Sequence, residues 1–298
     1  MIINSATLQS ATRAVRGLFL SQLAATASLL PLLTMPASTT TGEAVFGWLG
    51  NLPSMKPFKD ELDKQALAVS DWTVKTAEYA MGYSIPALAI KRDQFGIYNP
   101  VFSAAGQRAG EHRDFMLAAK LKAGFTTVDY TGKNFFDTAK VFVKGAKGTF
   151  DNKSTKQLTL AYFRAARKML RNIKDPAGYP VIGSPQFTLI VGPELEGAAK
   201  DILMAERLAN GASNVEFNSA KLEVWNFIDD AKWYLAVTNS PLKPFIMLDE
   251  IKLDLYAKQD PNSEAVFNRH EFEYQAYAVN KVDFGLPQLI VGSTGVDA

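Results

Sequence analysis

The stretch NPVFSAAGQRAGEHRDFMLAAKLKAG, residues 99–124, decides the fold because it predicts one long helix with both ends marked. Asn99 is a favourable N-cap, Pro100 suits the first turn, and Gly124 follows Lys120 and Lys122 at the expected C-terminus. At 1.5 Å per residue, such a helix is about 35 Å long. This length predicts a structural element against which other parts of the chain pack.

Apolar or small residues recur along this helix every three or four positions and predict its buried face. They are Val101, Ala105, Ala109, His112, Phe115, Met116, Ala119 and Ala123. The intervening side chains are polar and predict a solvent-exposed face, formed by Gln107, Arg108, Glu111, Arg113, Asp114 and Lys120. Because alanine dominates the apolar face, a neighbouring backbone can approach closely.

The composition excludes several kinds of site. The chain has 298 residues, of which 47% are hydrophobic, and its formal net charge is +2. This length suffices for a large core and more than one domain, whereas the charge is not typical of a dedicated nucleic-acid-binding domain. Because there is no cysteine, disulfides, thiolate metal sites and cysteine nucleophiles are excluded. Only His112 and His270 are available for histidine chemistry.

Residues 1–45 contain only three charged side chains and allow two interpretations. Arg13 and Arg16 precede an apolar stretch that ends near Pro36, which resembles a secretory signal peptide. Alternatively, the segment is a short amphipathic helix followed by an extended arm that buries its apolar side chains on other subunits. No uninterrupted apolar run of about 20 residues is present, so the sequence does not predict a membrane span.

A second helix is predicted after the S-x-x-Q capping box of Ser154 and Gln157, and ends near Asp175. Between residues 151 and 175, seven lysines or arginines stand against two aspartates. This excess indicates either a solvated helix face or a surface that contacts polyphosphate. The candidate DNA-facing residues are Arg164, Arg167, Lys168, Arg171 and Lys174.

The remaining signals are mainly those of β-structure. Residues 46–98 contain aromatic turns and strand-like pieces joined through Gly82 and Pro86, and predict a long hairpin-like excursion. Residues 187–191 predict a buried strand, followed by a helix that ends at Gly211. Alternating apolar residues around Leu235, Leu253 and Tyr274 predict antiparallel strands with one buried side, and residues 289–291 predict a final strand.

Motifs of the common enzyme classes are absent from the sequence: there is no G-x-S-x-G, G-x-x-x-x-G-K-[ST], G-x-G-x-x-G or H-E-x-x-H. His112 lies near the apolar face of the long helix and is more simply a packed structural residue. His270 lies beside Arg269 and Glu271, which favours a surface ion pair. We therefore expect no catalytic residues, no cofactor and no metal site.

Four stretches, in order, resemble the major head subunit family of Mu-like phages. They are FGWLGNLPSMKPF (46–58), RDQFGIYNPVFSAAGQRA (92–109), AGFTTVDYTGKNFFD (123–137) and YAVNKVDFGLPQLIVGSTG (277–295). The resemblance extends over residues 10–295. It implies an α+β protein with the tailed-phage and herpesvirus major-capsid fold, which comprises an N-terminal arm, an extended hairpin loop, a peripheral domain with a long spine helix, and an axial domain with a central sheet.

By this resemblance, residues 1–45 form the arm, 46–98 the extended loop, 99–179 the peripheral domain with its spine helix at 99–124, 180–265 the axial domain, and 266–298 strands that return to the peripheral domain. The implied function is a non-enzymatic capsid protein that assembles into hexamers and pentamers of an icosahedral shell around double-stranded DNA. Portal, scaffold and decoration proteins are implied further partners. The implied location is the virion, after assembly in the bacterial cytoplasm.

Apolar side chains of the arm and the loop are the expected contacts between subunits: Leu18, Phe19, Leu29, Leu32, Trp48 and Trp72. The alternative hypothesis is a secreted or periplasmic α/β binding protein from which residues 1 to about 37 are cleaved.

Overall fold

The long helix at residues 99–124 is present and organises its surroundings. The computed structural model describes residues 5–49, 71–92, 95–144, 148–175, 178–208, 211–258 and 264–296. The helices are α1 (Ser5–Ala25), α2 (Leu30–Leu33), α3 (Ala87–Lys91), α4 (Asn99–Ala123), α5 (Leu160–Asn172), α6 (Glu196–Leu203) and α7 (Glu264–Arg269). The strands are β1 (Thr34–Ser38), β2 (Glu43–Val45), β3 (Thr73–Lys75), β4 (Ala77–Pro86), β5 (Lys153–Ser154), β6 (Phe187–Val191), β7 (Lys221–Val224), β8 (Trp233–Val237), β9 (Phe245–Lys258), β10 (Glu271–Phe284) and β11 (Ile290–Ser293).

The ends of α4 are formed differently from the sequence prediction. Tyr98 occupies the N-cap position without a side-chain hydrogen bond, and Asn99 is already helical. Gly124 keeps a right-handed conformation, with φ −59° and ψ −20°, so its left-handed freedom is not used. A Cβ at Gly124 would lie 2.8 Å from the Phe136 ring. Close packing, rather than a left-handed turn, therefore requires glycine here.

The buried face of α4 is rotated relative to the predicted one. Val101 and Phe115, both expected inside, are 51% and 58% exposed. The buried positions are Phe102, Ala105, Gly106, Ala109, Gly110, Asp114, Leu117, Ala118 and Leu121. The predicted wet face was wrong at Asp114, which is 2% exposed. The prediction also missed that Arg113 and Lys120 form ion pairs with Asp249 and Asp283, respectively.

A four-stranded sheet lies against α1 and α4, in the order β1, β9, β10, β4. Strand β10 is antiparallel to β9 and β4, and alternates buried and half-buried residues as predicted from Phe272 to Ala278. Strand β9 lies within the predicted axial segment, yet it pairs with β1 and β10. It thus shares a sheet with strands from outside residues 180–265, and the bounds of the predicted axial domain stay a prediction.

A five-stranded sheet has the order β5, β11, β8, β6, β7. All five residues of β6 and of β8 are buried. The prediction of a β8 strand with one wet side was wrong, because α5 and α6 cover one face while the other face joins the core beneath α4. Strand β11 pairs with β8 and β5, so the last strand lies in this sheet and not in the sheet of β10.

A layer of aromatic rings joins the two sheets. Phe135 stacks on Phe284 of β10, with centroids 4.5 Å apart and planes at 11°. The ring centroid of the neighbouring Phe136 lies 5.7 Å from that of Tyr234 in β8. Phe135, Phe136 and Phe284 are each 0% exposed. The chain just after α4 therefore forms a shared core between the sheets.

The predicted arm and loop take specific forms within the described chain. Helix α1 is a 21-residue helix packed on α4, and β1 pairs in parallel with β9, so much of the predicted arm folds onto its own chain. Strands β2 and β3 form a short antiparallel pair, and residues 50–70 of the predicted loop lie outside the described residues. Leu88, expected in a strand, lies in α3.

Candidate assembly surfaces

Two glycines of α4 allow α1 to pack closely against it. A Cβ at Gly106 would overlap the backbone carbonyl oxygen of Phe19, and one at Gly110 would lie 2.9 Å from Cβ of Thr26. Phe19 and Val15 are 0% exposed in this contact. The sequence predicted a close approach at this face but not the identity of the partner helix.

Asp114 of α4 holds the chain between α1 and α2. Its carboxylate accepts hydrogen bonds from the Ser28 hydroxyl at 2.9 Å and from the Leu29 backbone N–H at 3.1 Å. Burial raises the pKa of Asp114, and the hydrogen bonds from Ser28 and Leu29 act in the opposite direction. At the sheet, Arg16 of α1 forms an ion pair with Asp254 of β9.

The structure treats the six candidate contact residues differently. Phe19 is fully buried within its own chain, and its role as an inter-subunit contact stays a prediction. The other five side chains are half-buried and keep some exposed surface: Leu18, Leu29, Leu32, Trp48 and Trp72. Their role between subunits stays a prediction.

The basic helix α5 begins later than predicted. Thr159 is its N-cap, and its hydroxyl accepts a hydrogen bond from the Tyr162 N–H. Ser154, the expected cap, lies in β5 and pairs with β11. The spacing of Ser154 and Gln157 therefore matches a capping box only by chance. Ser154 belongs to a strand at the edge of the five-stranded sheet, and the local sequence does not indicate that pairing.

A buried glutamate neutralises part of the basic cluster. Glu216 is 7% exposed and accepts a hydrogen bond from Arg164 Nε at 2.9 Å, while it also pairs with Arg167. Burial by itself would raise the pKa of Glu216, but the interactions with Ser219, Arg164 and Arg167 together outweigh it, and the pKa is lowered. The paired arginines are thus bound within the chain. No local sequence pattern indicates this partner, which lies 52 residues beyond Arg164.

The other three candidate DNA-facing cations differ from this pair of arginines in their surroundings. Lys168, Arg171 and Lys174 are exposed, and no carboxylate of the described residues forms an ion pair with them. Arg171 also lies 5.6 Å from the centroid of the Phe187 ring. These three residues carry the positive charge that α5 presents to solvent.

A buried lysine was not singled out by sequence reasoning. Lys140 is 0% exposed. Its Nζ forms an ion pair with Asp129 Oδ2 at 2.8 Å and donates hydrogen bonds to Thr131 Oγ1 at 3.1 Å and to the Asn134 carbonyl oxygen at 2.7 Å. Burial lowers the pKa of Lys140, against the charge of Asp129. Two hydrogen bonds and one ion pair hold the buried ammonium group, which indicates a structural role in the turn after α4.

The histidines occupy structural and surface positions. His112 lies beside Tyr79, with ring centroids 4.6 Å apart, and burial lowers the pKa of its imidazole. His270 is exposed, with φ 56°, and its neighbour Arg269 pairs with Glu273 instead of joining it in a local pair. Within the described ranges, no group of three or more His, Asp or Glu residues could hold a metal ion.

Comparisons with known proteins agree with one another. The family model of the Mu-like prophage major head subunit gpT matches residues 8–156, 148–228 and 224–296. The Mu-like prophage FluMu major head subunit of Haemophilus influenzae is 30% identical over 41% of this chain and 39% of its own length. The major capsid protein of Escherichia phage Mu is 26% identical over 50% of this chain and 49% of its own length. The chain thus spans under half the length of these curated relatives in the aligned regions.

The fold is also found in a solved phage particle. The subunit of the bacteriophage JBD30 procapsid superposes with a TM-score of 0.64 and 21% identity, over 98% of this chain and 76% of that chain. This likeness shows the phage capsid fold. Among the described helices, none is long and apolar enough to cross a membrane.

Proposed function

Since this chain belongs to the Mu-like prophage major head subunit family, we propose that it is the principal subunit of an icosahedral shell and has no catalytic activity of its own. Copies would assemble as hexamers and pentamers around a double-stranded DNA genome. The observation that carries this proposal is the match of the capsid fold over 98% of the chain. In such an assembly the energy comes from many small contacts distributed over neighbouring subunits.

The decisive experiment is electron microscopy of the full chain after expression and nuclease treatment. We expect closed shells, or rings of five and six subunits, at protein concentrations where an ordinary globular protein stays monomeric. A monodisperse monomer over the whole accessible concentration range would contradict the proposal.

Contact with packaged DNA is a second part of the proposal. Lys168, Arg171 and Lys174 are the cations of α5 without a carboxylate partner in the described part of the chain. Non-specific contact with phosphates would be weakened by salt and by charge reversal. We expect Arg171→Glu to lower the DNA content of particles without changing their number, measured by the ratio of absorbance at 260 and 280 nm. An unchanged ratio would remove Arg171 from the DNA-facing surface.

Assembly in the bacterial cytoplasm, followed by incorporation into the virion, belongs to the same proposal, as do portal, scaffold and decoration partners. The alternative of a secreted binding protein gains no support from the family or from the fold. It predicts that residues 1 to about 37 are missing from the mature protein. Intact-mass measurement of the chain from purified particles distinguishes the two.

A further inference from the structure

One loop between α6 and β7 has its polar residues buried and its apolar residues exposed. Asn214 and Glu216 are 6% and 7% exposed, whereas Val215 and Phe217 are 74% and 40% exposed. We call residues 214–217 the apolar loop. Met204, at the end of α6, is 53% exposed and precedes this loop. The alternation is the reverse of that expected for a surface loop of a monomer.

The apolar loop is fixed by hydrogen bonds. The Asn214 side-chain amide donates to the carbonyl oxygens of Ile202 and Ala205, both at 2.8 Å. Glu216 is held by Arg164 and Arg167 of α5. Because these bonds set the direction of the loop, Val215 and Phe217 are held in solvent. Apolar side chains held in solvent by buried polar partners indicate contact with another molecule.

A groove lies along α5, on the flank away from Arg164 and Arg167. Its volume is about 460 Å³. The apolar part of its lining consists of Phe150, Ala165, Met169 and Ile173. Its polar part consists of Lys168, Lys174, Asp151, Thr149 and Asn172. Lys168 and Lys174 are exposed and form no ion pair with any carboxylate in the described ranges, so the groove has an apolar floor and a mostly basic rim.

The groove and the apolar loop lie on different flanks of α5. Ala165 and Lys168 line the groove, whereas Arg164 and Arg167 bind Glu216 of the apolar loop. They are therefore presented in different directions by one chain. If each copy places its loop in the groove of the next copy, the contact is heterologous, and repetition about an axis closes a ring.

The charges beside the groove and beside the apolar loop are complementary. Asp201 and Glu206, on and just after α6, are exposed, and no cation of the described residues forms an ion pair with either. Two neighbouring cations are also exposed: Arg207, and Lys200, which forms an ion pair with Glu196. Opposite charges at the rim of an apolar contact fix its orientation and disfavour contact between identical surfaces.

We propose that the apolar loop of one copy docks into the groove beside α5 of the next copy, with Asp201 and Glu206 facing Lys168 and Lys174. The inference deepens the proposed function and rests on it, because it names the contact that joins subunits within a ring. It assigns Lys168 and Lys174 to a protein partner and leaves Arg171 for DNA.

Disulfide trapping tests the contact directly, because the natural chain has no cysteine. We expect Phe217→Cys combined with Ala165→Cys to give a ladder of cross-linked multimers, up to five or six copies, when assembled particles are oxidised. The matched control combines Phe217→Cys with Val101→Cys, which is 51% exposed on α4 and should give no ladder beyond the dimer. Particles that assemble but give no ladder with Ala165→Cys would overturn the inference and leave the proposed function intact.

Charge reversal supplies an independent test on particles formed without DNA. We expect Lys168→Glu with Lys174→Glu to lower the particle yield at least tenfold, and the further changes Asp201→Lys and Glu206→Lys in the same chain to restore most of it. The control pair Glu78→Lys and Glu264→Lys adds the same charge elsewhere and should restore nothing. If the lysine variant forms empty particles in normal yield, and its particles assembled with DNA contain less DNA, the basic rim contacts DNA and the inference is wrong. Absence of particles from the unaltered chain would contradict the proposed function instead.

Discussion

Asp114 of the long helix accepts a hydrogen bond from Ser28, 86 residues earlier in the chain, at 2.9 Å. Together with the bond from the Leu29 N–H, this contact fixes the N-terminal segment on α4. Replacing Asp114 by alanine leaves two partly buried donors without their acceptor, so we expect the free energy of unfolding to fall by about 1–3 kcal/mol. Urea unfolding measures this loss. Amide exchange should also quicken at Leu29 and Leu30; unchanged exchange there would show that Asp114 does not hold the segment.

The ionisation of Asp114 predicts a pH dependence. Burial raises the pKa of its carboxyl in the folded chain above the ordinary value near 4. The folded state thus holds this proton more tightly than the unfolded state, so ionisation costs stability as the pH rises through the raised pKa. Asp114→Asn keeps an acceptor oxygen but never ionises. We expect the free energy of unfolding of Asp114→Asn, relative to the natural chain, to increase as the pH rises from the ordinary carboxyl pKa near 4 through the raised pKa, and then to level off. A difference independent of pH would contradict the raised pKa.

Gly106 is a test of the helix contact. Alanine is the better helix former by about 1 kcal/mol, but its Cβ would overlap the Phe19 carbonyl. Because backbone cannot yield as a flexible side chain does, we expect Gly106→Ala to lower the free energy of unfolding by about 1–3 kcal/mol. Gly197→Ala in α6 is the matched control, since a Cβ there meets nothing within 4 Å. It should stabilise slightly, and an equal gain at both sites would mean that α1 does not pack closely on α4.

Phe19 distinguishes folding from assembly. Its ring is fully buried in the chain, so Phe19→Ala should lower the free energy of unfolding by about 3–5 kcal/mol. Leu18→Ala, at a half-buried neighbouring position, should cost less. Differential scanning calorimetry of unassembled subunits provides the measurement. If Phe19→Ala left the melting temperature unchanged and reduced only assembly, the result would support the prediction that Phe19 is an inter-subunit contact.

Lys140 and Asp129 form a fully buried ion pair. Lys140→Met leaves the Asp129 carboxylate without its cation in the core, and removal of one partner from such a pair costs about 3–5 kcal/mol. Chemical denaturation checks the value. Lys144→Met, at an exposed position, should change the free energy of unfolding by less than about 0.5 kcal/mol. Similar small effects at both lysines would show that the buried pair contributes little.

The sequence predicted the elements whose pattern is local. The α4 helix, the buried strand β6 and the alternation in β10 follow from side-chain spacing within about 25 residues. The errors lie where a distant segment decides burial. The local sequence predicts a solvated Asp114, but the folded chain brings Ser28 into hydrogen-bond contact with it. It likewise predicts an unpaired Arg164, which in the structure binds Glu216, 52 residues away. Strand β8 appears one-sided because Phe125 and Phe136, which help to bury its second face at Tyr234, lie about 100 residues earlier in the chain.

The stacked rings of Phe135 and Phe284 have a mechanical consequence. Both sheets contribute side chains to this single aromatic layer. Rotation of one sheet relative to the other would therefore separate the packed rings and create a cavity. Each subunit should then behave as one rigid body under internal pressure. The curvature of a shell made from such subunits must be determined by the contacts between them.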